Sequence, residues 1–196
     1  AADVDDTAAD AQISDASSQV GDTISDFASD NSNKQIEQTG NTKTVKSEGE
    51  SGTLSDLETD ITSAESTLTL EKDYTATDSE QPFVIAKDIT IDGNGKTITA
   101  VNGAFNISSG YTVNIKNLVF TGKNGASAMI KVEGTVNLEN VTFYDCFSNT
   151  YQNPAVIEVV ANSKLLMDGC SINNTCSTTA PIRILGSVDA TIKNTN

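Results

Sequence analysis

The feature that most constrains the fold is a repeat. Val113-Asn114-Ile115-Lys116-Asn117-Leu118-Val119-Phe120 returns as Val136-Asn137-Leu138-Glu139-Asn140-Val141-Thr142-Phe143 and again as Leu165-Leu166-Met167-Asp168-Gly169-Cys170-Ser171-Ile172. It restarts at Thr191-Ile192-Lys193-Asn194, and a looped copy reads Thr90-Ile91-Asp92-Gly93-Asn94-Gly95-Lys96-Thr97-Ile98. With Ile91, Ile115, Leu138, Met167 and Ile192 in one column, the spacings are 24, 23, 29 and 25 residues. Periods of this size mean stacked units.

Each copy alternates apolar and polar residues, breaks at a turn residue, then alternates again: a short strand, a bend and a second short strand. The bend column holds Gly93, Asn117, Asn140, Gly169 and Asn194, the two residue types that best tolerate a left-handed backbone. A further strand follows in each unit, its Ile107, Val132, Val159 and Ile184 spaced 25, 27 and 25 residues apart. A coil of this length is too short for a strand-helix-strand unit, which needs ~30 residues or more. It fits a parallel β-helix, in which each coil lies on the last at a strand spacing of ~4.8 Å.

Ile98, Phe120, Phe143 and Ile172 then form one inward column, and the Ile91 series another. At ~1.5–3 kcal/mol per fully buried large side chain, such columns are the main stabilising term. Outward, one column reads Asp92, Lys116, Glu139, Asp168, Lys193, and another reads Asn106, Lys131, Glu158, Arg183. Opposite charges mostly follow one another, so these ladders favour one stacking register while each exposed pair contributes under ~1 kcal/mol.

Residues 1–52 carry 11 acidic and 3 basic residues and one aromatic, Phe27. Such a segment buries too little surface to offset its ordering entropy, so we expect a disordered acidic tail that serves as a spacer. From Thr53 the pattern changes: Leu54, Leu57, Ile61 and Ala64 fall at helical spacing behind a Thr N-cap with acids in the first turn. A helix over 53–66 is expected to cover the end of the apolar core, as terminal caps do in repeat proteins. An irregular first coil follows over 67–88 and regular coils over 89–196. The chain stops partway through a coil, so further coils or a partner are expected to pack there end to end.

The net charge of −15 and the absence of a basic stripe exclude nucleic acid as an expected partner. No apolar run reaches the ~18 residues of a membrane span. Without tryptophan, no carbohydrate platform of indole rings is available. The three cysteines allow one disulfide. Cys170 aligns with the inward Leu118 and Val141, whereas Cys146 and Cys176 fall near one another on adjacent coils and are the expected bridge. Without histidine or a C-x-x-C pair, no metal or other cofactor is expected. Asn106, Asn140 and Asn173 open N-glycosylation triplets, which would suit an exported protein.

Thr53-Leu54-Ser55-Asp56-Leu57, Leu68-Thr69-Leu70-Glu71-Lys72-Asp73-Tyr74, the Ile89–Ile98 turn and the bends at Asn117 and Asn140 together resemble the adhesin-like surface proteins of methanogenic archaea. These belong to the right-handed, single-stranded parallel β-helix class that includes pectate lyases. The resemblance covers about residues 53–196. It implies an exported, cell-surface protein that attaches to polysaccharide or to partner cells. Two alternatives stay open. The fold also hosts polysaccharide lyases and glycoside hydrolases, for which Glu139 and Asp168, adjacent on one column, are the best carboxylate pair. A stalk that only presents other modules is the third reading. We expect a non-catalytic protein, with Glu139 and Asp168 as part of a solvated charge ladder.

Overall fold

The computed structural model describes residues 50–123, 127–147, 155–173, 175 and 181–196. The expected tail lies outside them up to residue 49. Its last residue, Gly52, is buried and forms a parallel bridge to Tyr74, so the end of that segment packs on the first coil.

Helix α1 spans Leu54–Ser63. Its start is a reciprocal capping box: the Asp56 N–H donates to Thr53 Oγ1 at 3.1 Å, and the Thr53 N–H donates to Asp56 Oδ2 at 2.8 Å. Leu54, Leu57 and Ile61 are buried in the same cluster as Leu70 and Tyr74 of the first coil, so the helix does close that end of the core. At its other end no basic residue lies in the last turn; Lys87 instead brings its ammonium to the carbonyls of Ile61, Thr62 and Ala64. A cation from the first coil thus serves the helix C-terminus.

Three strands then recur per coil: β1 Thr67–Thr69, β2 Tyr74–Thr75, β3 Phe83–Ile85; β4 Ile89–Asp92, β5 Thr97–Ala100, β6 Phe105–Ile107; β7 Thr112–Lys116, β8 Val119–Lys123, β9 Ile130–Val132; β10 Thr135–Glu139, β11 Thr142–Phe147, β12 Ile157–Val159; β13 Lys164–Asp168, β14 Ser171–Asn173, β15 Ile182–Ile184; and finally β16 Asp189–Lys193. Each strand pairs in parallel with its counterparts one coil away, giving three sheets. Sheet 1 is β1-β4-β7-β10-β13-β16, sheet 2 is β2-β5-β8-β11-β14 and sheet 3 is β3-β6-β9-β12-β15. Over the described residues the protein is a parallel β-solenoid of about five coils with one helix.

The register is the one the repeat predicts. Ile91, Ile115, Leu138, Met167 and Ile192 are partners in succession, as are Ile98, Phe120, Phe143 and Ile172. Even the first coil keeps it, with Leu68 opposite Ile91. Inside, Phe83, Phe105, Phe120 and Phe143 form a chain of rings: two edge-on contacts at 5.1 and 5.5 Å, then a stacked pair at 5.2 Å. Aromatic pairs of these geometries add ~0.5–1.5 kcal/mol each to their burial.

The bend column differs at one place. Asn117, Asn140, Gly169 and Asn194 are left-handed, with φ from 48° to 62°, but in the looped copy Asn94 and Gly95 take that role rather than Gly93. Gly93 is needed for another reason, since a Cβ there would sit 2.5 Å from the Asn117 carbonyl oxygen.

Candidate functional site

The outward side of sheet 1 carries the ladder predicted from sequence, in register: Asp92, Lys116, Glu139, Asp168, Lys193. Only one of its successive opposite charges closes into a salt bridge among the described residues, Lys116 to Asp92 at 3.2 Å. Burial works to raise the Asp92 carboxyl, but the Asn94 N–H, the Asn117 amide and the Lys116 ammonium outweigh it and hold that group below its usual range. Asp168 accepts from Asn194 Nδ2 at 2.8 Å, the same contact that Asn117 makes with Asp92 at 3.1 Å. The left-handed asparagines therefore tie one coil to the previous one through its last outward carboxylate.

Beside this ladder runs a column of amides. Asn137 Nδ2 donates to Asn114 Oδ1 at 2.7 Å, and Asn114 Nδ2 donates to Thr90 Oγ1 at 3.3 Å. Together the two columns floor a shallow trough of about 300 Å³, lined by Thr90, Asn114, Asn137, Leu166, Glu139 and Asp168 among others. Glu139 and Asp168 are register partners, so the structure does bring the two candidate carboxylates together in one concavity. They stand on consecutive strands of a single column.

On sheet 3 the column Asn106, Lys131, Glu158, Arg183 is also in register. Arg183 pairs with Glu158 at 2.8 Å, but Lys131 turns to Glu133 of its own coil at 2.6 Å. Lys164 and Asp189, a pair the sequence reading did not single out, close at 3.0 Å. Ladder order is thus legible from sequence, whereas partner choice depends on which acid each cation reaches first.

Cys170 is buried as expected, its thiol donating to Leu138 O at 3.5 Å. The expected Cys146–Cys176 bridge is not seen: Cys146 carries a free, fully buried thiol that donates to Phe120 O at 3.5 Å, and Cys176 lies outside the described residues. A bulge sets the direction of Cys146. The register of β11 against β8 shifts between Phe143 and Cys146, and Asp145 adopts φ 52°. The extra residue resets the alternation and turns Cys146 inward. Burial pushes its thiol up to about 12.

The three glycosylation-type asparagines fall in different settings. Asn106 is half-buried on the outer side of β6, whereas Asn140 in its left-handed turn and Asn173 at the end of β14 are exposed. Among the described residues no group of three or more metal-ligating side chains occurs, and no helix is long and apolar enough to cross a membrane.

The outer side of sheet 2 escaped the sequence reading. Thr97, Val119, Thr142 and Ser171 form one register column, and Thr75, Thr99 and Thr121 the next, which Tyr144 and Asn173 continue. The signal was present as Thr97-x-Thr99, Val119-x-Thr121, Thr142-x-Tyr144 and Ser171-x-Asn173, one such pair per coil. Compared with protein-family models, with curated proteins and with solved structures, the chain matches none of them.

Proposed function

We propose that this chain is a non-catalytic, adhesin-like module of an exported cell-surface protein, which attaches to polysaccharide or to a partner cell. The observation that carries this reading is the display itself: a stack with one continuous core holds its outward side chains in straight columns, repeated coil after coil. A periodic polymer meets the same groups at each coil, so many weak contacts add along its length. On sheet 1, Glu139 and Asp168 are neighbours in a single column of a shallow trough. A glycosidase needs its two carboxyl groups flanking the scissile bond.

A second reading rests on that same adjacency: two carboxylates in one concavity could serve a polysaccharide-cleaving enzyme. One experiment separates the readings. The whole chain, immobilised, is exposed to a set of polysaccharides and to intact cells, and the supernatant is assayed for chain cleavage. Retention without cleavage is the expected outcome. Cleavage that disappears in Glu139→Gln or Asp168→Asn would make it an enzyme, and failure to retain any polysaccharide or cell would leave only the stalk.

A further inference from the structure

Charge is unevenly spread over the three sheets. Sheets 1 and 3 carry the ladders, but the two outward columns of sheet 2, from Thr75 to Asn173, hold nine side chains of which none is charged at neutral pH. Asp145 stands at the bulge and Lys123 ends β8 beyond it, while Asp73 borders the patch at the first coil, where it accepts from the Thr97 N–H at 2.7 Å. In a chain of net charge −15 such a face is conspicuous. At its last coil Asn173 Nδ2 donates to Ser171 Oγ, but among the described residues its threonine hydroxyls are uncommitted. The sheet 1 amides bond to one another, whereas no hydrogen bond between described residues engages the hydroxyls of Thr75, Thr97, Thr99, Thr121 or Thr142. Tyr144 lies in the same face, 48 % exposed.

We infer that this face of sheet 2 is where the molecule holds a neutral polysaccharide, an inference that rests on the adhesin-like reading above. Three arguments select that occupant. A charged partner would lose hydration against the patch and find no counter-charge, a cost that a neutral polyhydroxylated chain avoids. The field of a strongly acidic protein also repels uronates and phosphates. Free hydroxyls can exchange hydrogen bonds with sugar hydroxyls, while threonine methyls, Val119 and the Tyr144 ring offer apolar surface to the C–H faces of the rings. The coils repeat these groups every ~4.8 Å, close to the advance of one ring along an extended glycan. A protein partner fits less well, because Val119 and Tyr144 supply too little apolar area for the core of a protein interface.

The test uses the whole chain on an array of neutral and of uronate-containing polysaccharides, with Thr121→Lys and Tyr144→Ala on sheet 2 and Asn137→Lys on sheet 1. Circular-dichroism melts confirm that each variant is folded. The expected result is a preference for neutral polymers, weakened tenfold or more by Thr121→Lys and by Tyr144→Ala and changed less than twofold by Asn137→Lys. Binding lost in Asn137→Lys but kept in both sheet 2 variants would move the site to the trough and overturn this inference while leaving the adhesin-like reading in place. A preference for acidic polymers, or a dimer that Thr121→Lys dissociates, would overturn it as well. No binding to any polymer by the unaltered chain would overturn this assignment, and failure to retain intact cells as well would remove the adhesin-like reading with it.

Discussion

Asn117 shows how one side chain serves two ends. Its backbone is left-handed at φ 52°, a conformation that costs an ordinary L-residue ~1–2 kcal/mol, and its amide reaches back to Asp92. Asn117→Ala should therefore lower the unfolding free energy by about 1–2 kcal/mol, and Asn117→Gly by less, since glycine keeps the backbone and loses only the amide contact. Urea unfolding of the two variants side by side reads the difference. The buried thiols set a limit at high pH. Burial raises Cys146 to about 12 and raises Cys170 as well, from a starting value of 9.0 in the unfolded chain. Above pH 9 the unfolded chain releases these protons and the folded one keeps them, so the folded state loses ground as pH rises. The slope is at most about 1.4 kcal/mol per pH unit for each thiol. Denaturant midpoints should fall from pH 9 upward, and less steeply in Cys146→Ala when each is compared with its own midpoint at pH 7.

At the scale of elements, α1 and the first coil hold each other. Glu80, from the turn before β3, accepts from the Ser55 backbone and hydroxyl at 2.8 and 2.9 Å at the start of the helix, Tyr74 Oη donates to Asp60 at 2.8 Å, and Lys87 serves the C-terminal carbonyls. Burial alone would raise the Glu80 carboxyl, but its bonds from Thr77 and Ser55 bring it below its usual range. That contribution is present at neutral pH and is lost as the pH falls through the folded-state value. Thr53→Ala, which dismantles the capping box, should cost ~1 kcal/mol. Hydrogen exchange should place the added opening in α1 and β2, with β10 unchanged, because each coil feels mainly its neighbours.

For the molecule as a whole, stability comes from columns shared across coils rather than from any single coil. Phe120 is fully buried, stacked on Phe143 and edge-on to Phe105, so Phe120→Ala should cost about 3–5 kcal/mol by calorimetry or urea titration. The Lys116–Asp92 and Lys164–Asp189 pairs are exposed or partly so, and 0.5 M salt should change the midpoint little by comparison.

The amino-acid sequence by itself determined the coil: alternation at period two and recurrence near 25 residues leave a parallel stack as the way to bury Ile115, Phe120 and Phe143 at once. It also determined the helix over the open end, because capping and spacing are local properties of Thr53–Ala64. What only the tertiary structure decided depends on the path of the backbone between coils. One extra residue at Asp145 reverses which way Cys146 points, and alternation counted along the chain cannot register a bulge. Ion-pair choice turned on reach, as Lys131 shows by meeting Glu133 of its own coil rather than Glu158 of the next. The uncharged face of sheet 2 became visible only when residues some two dozen positions apart stood side by side.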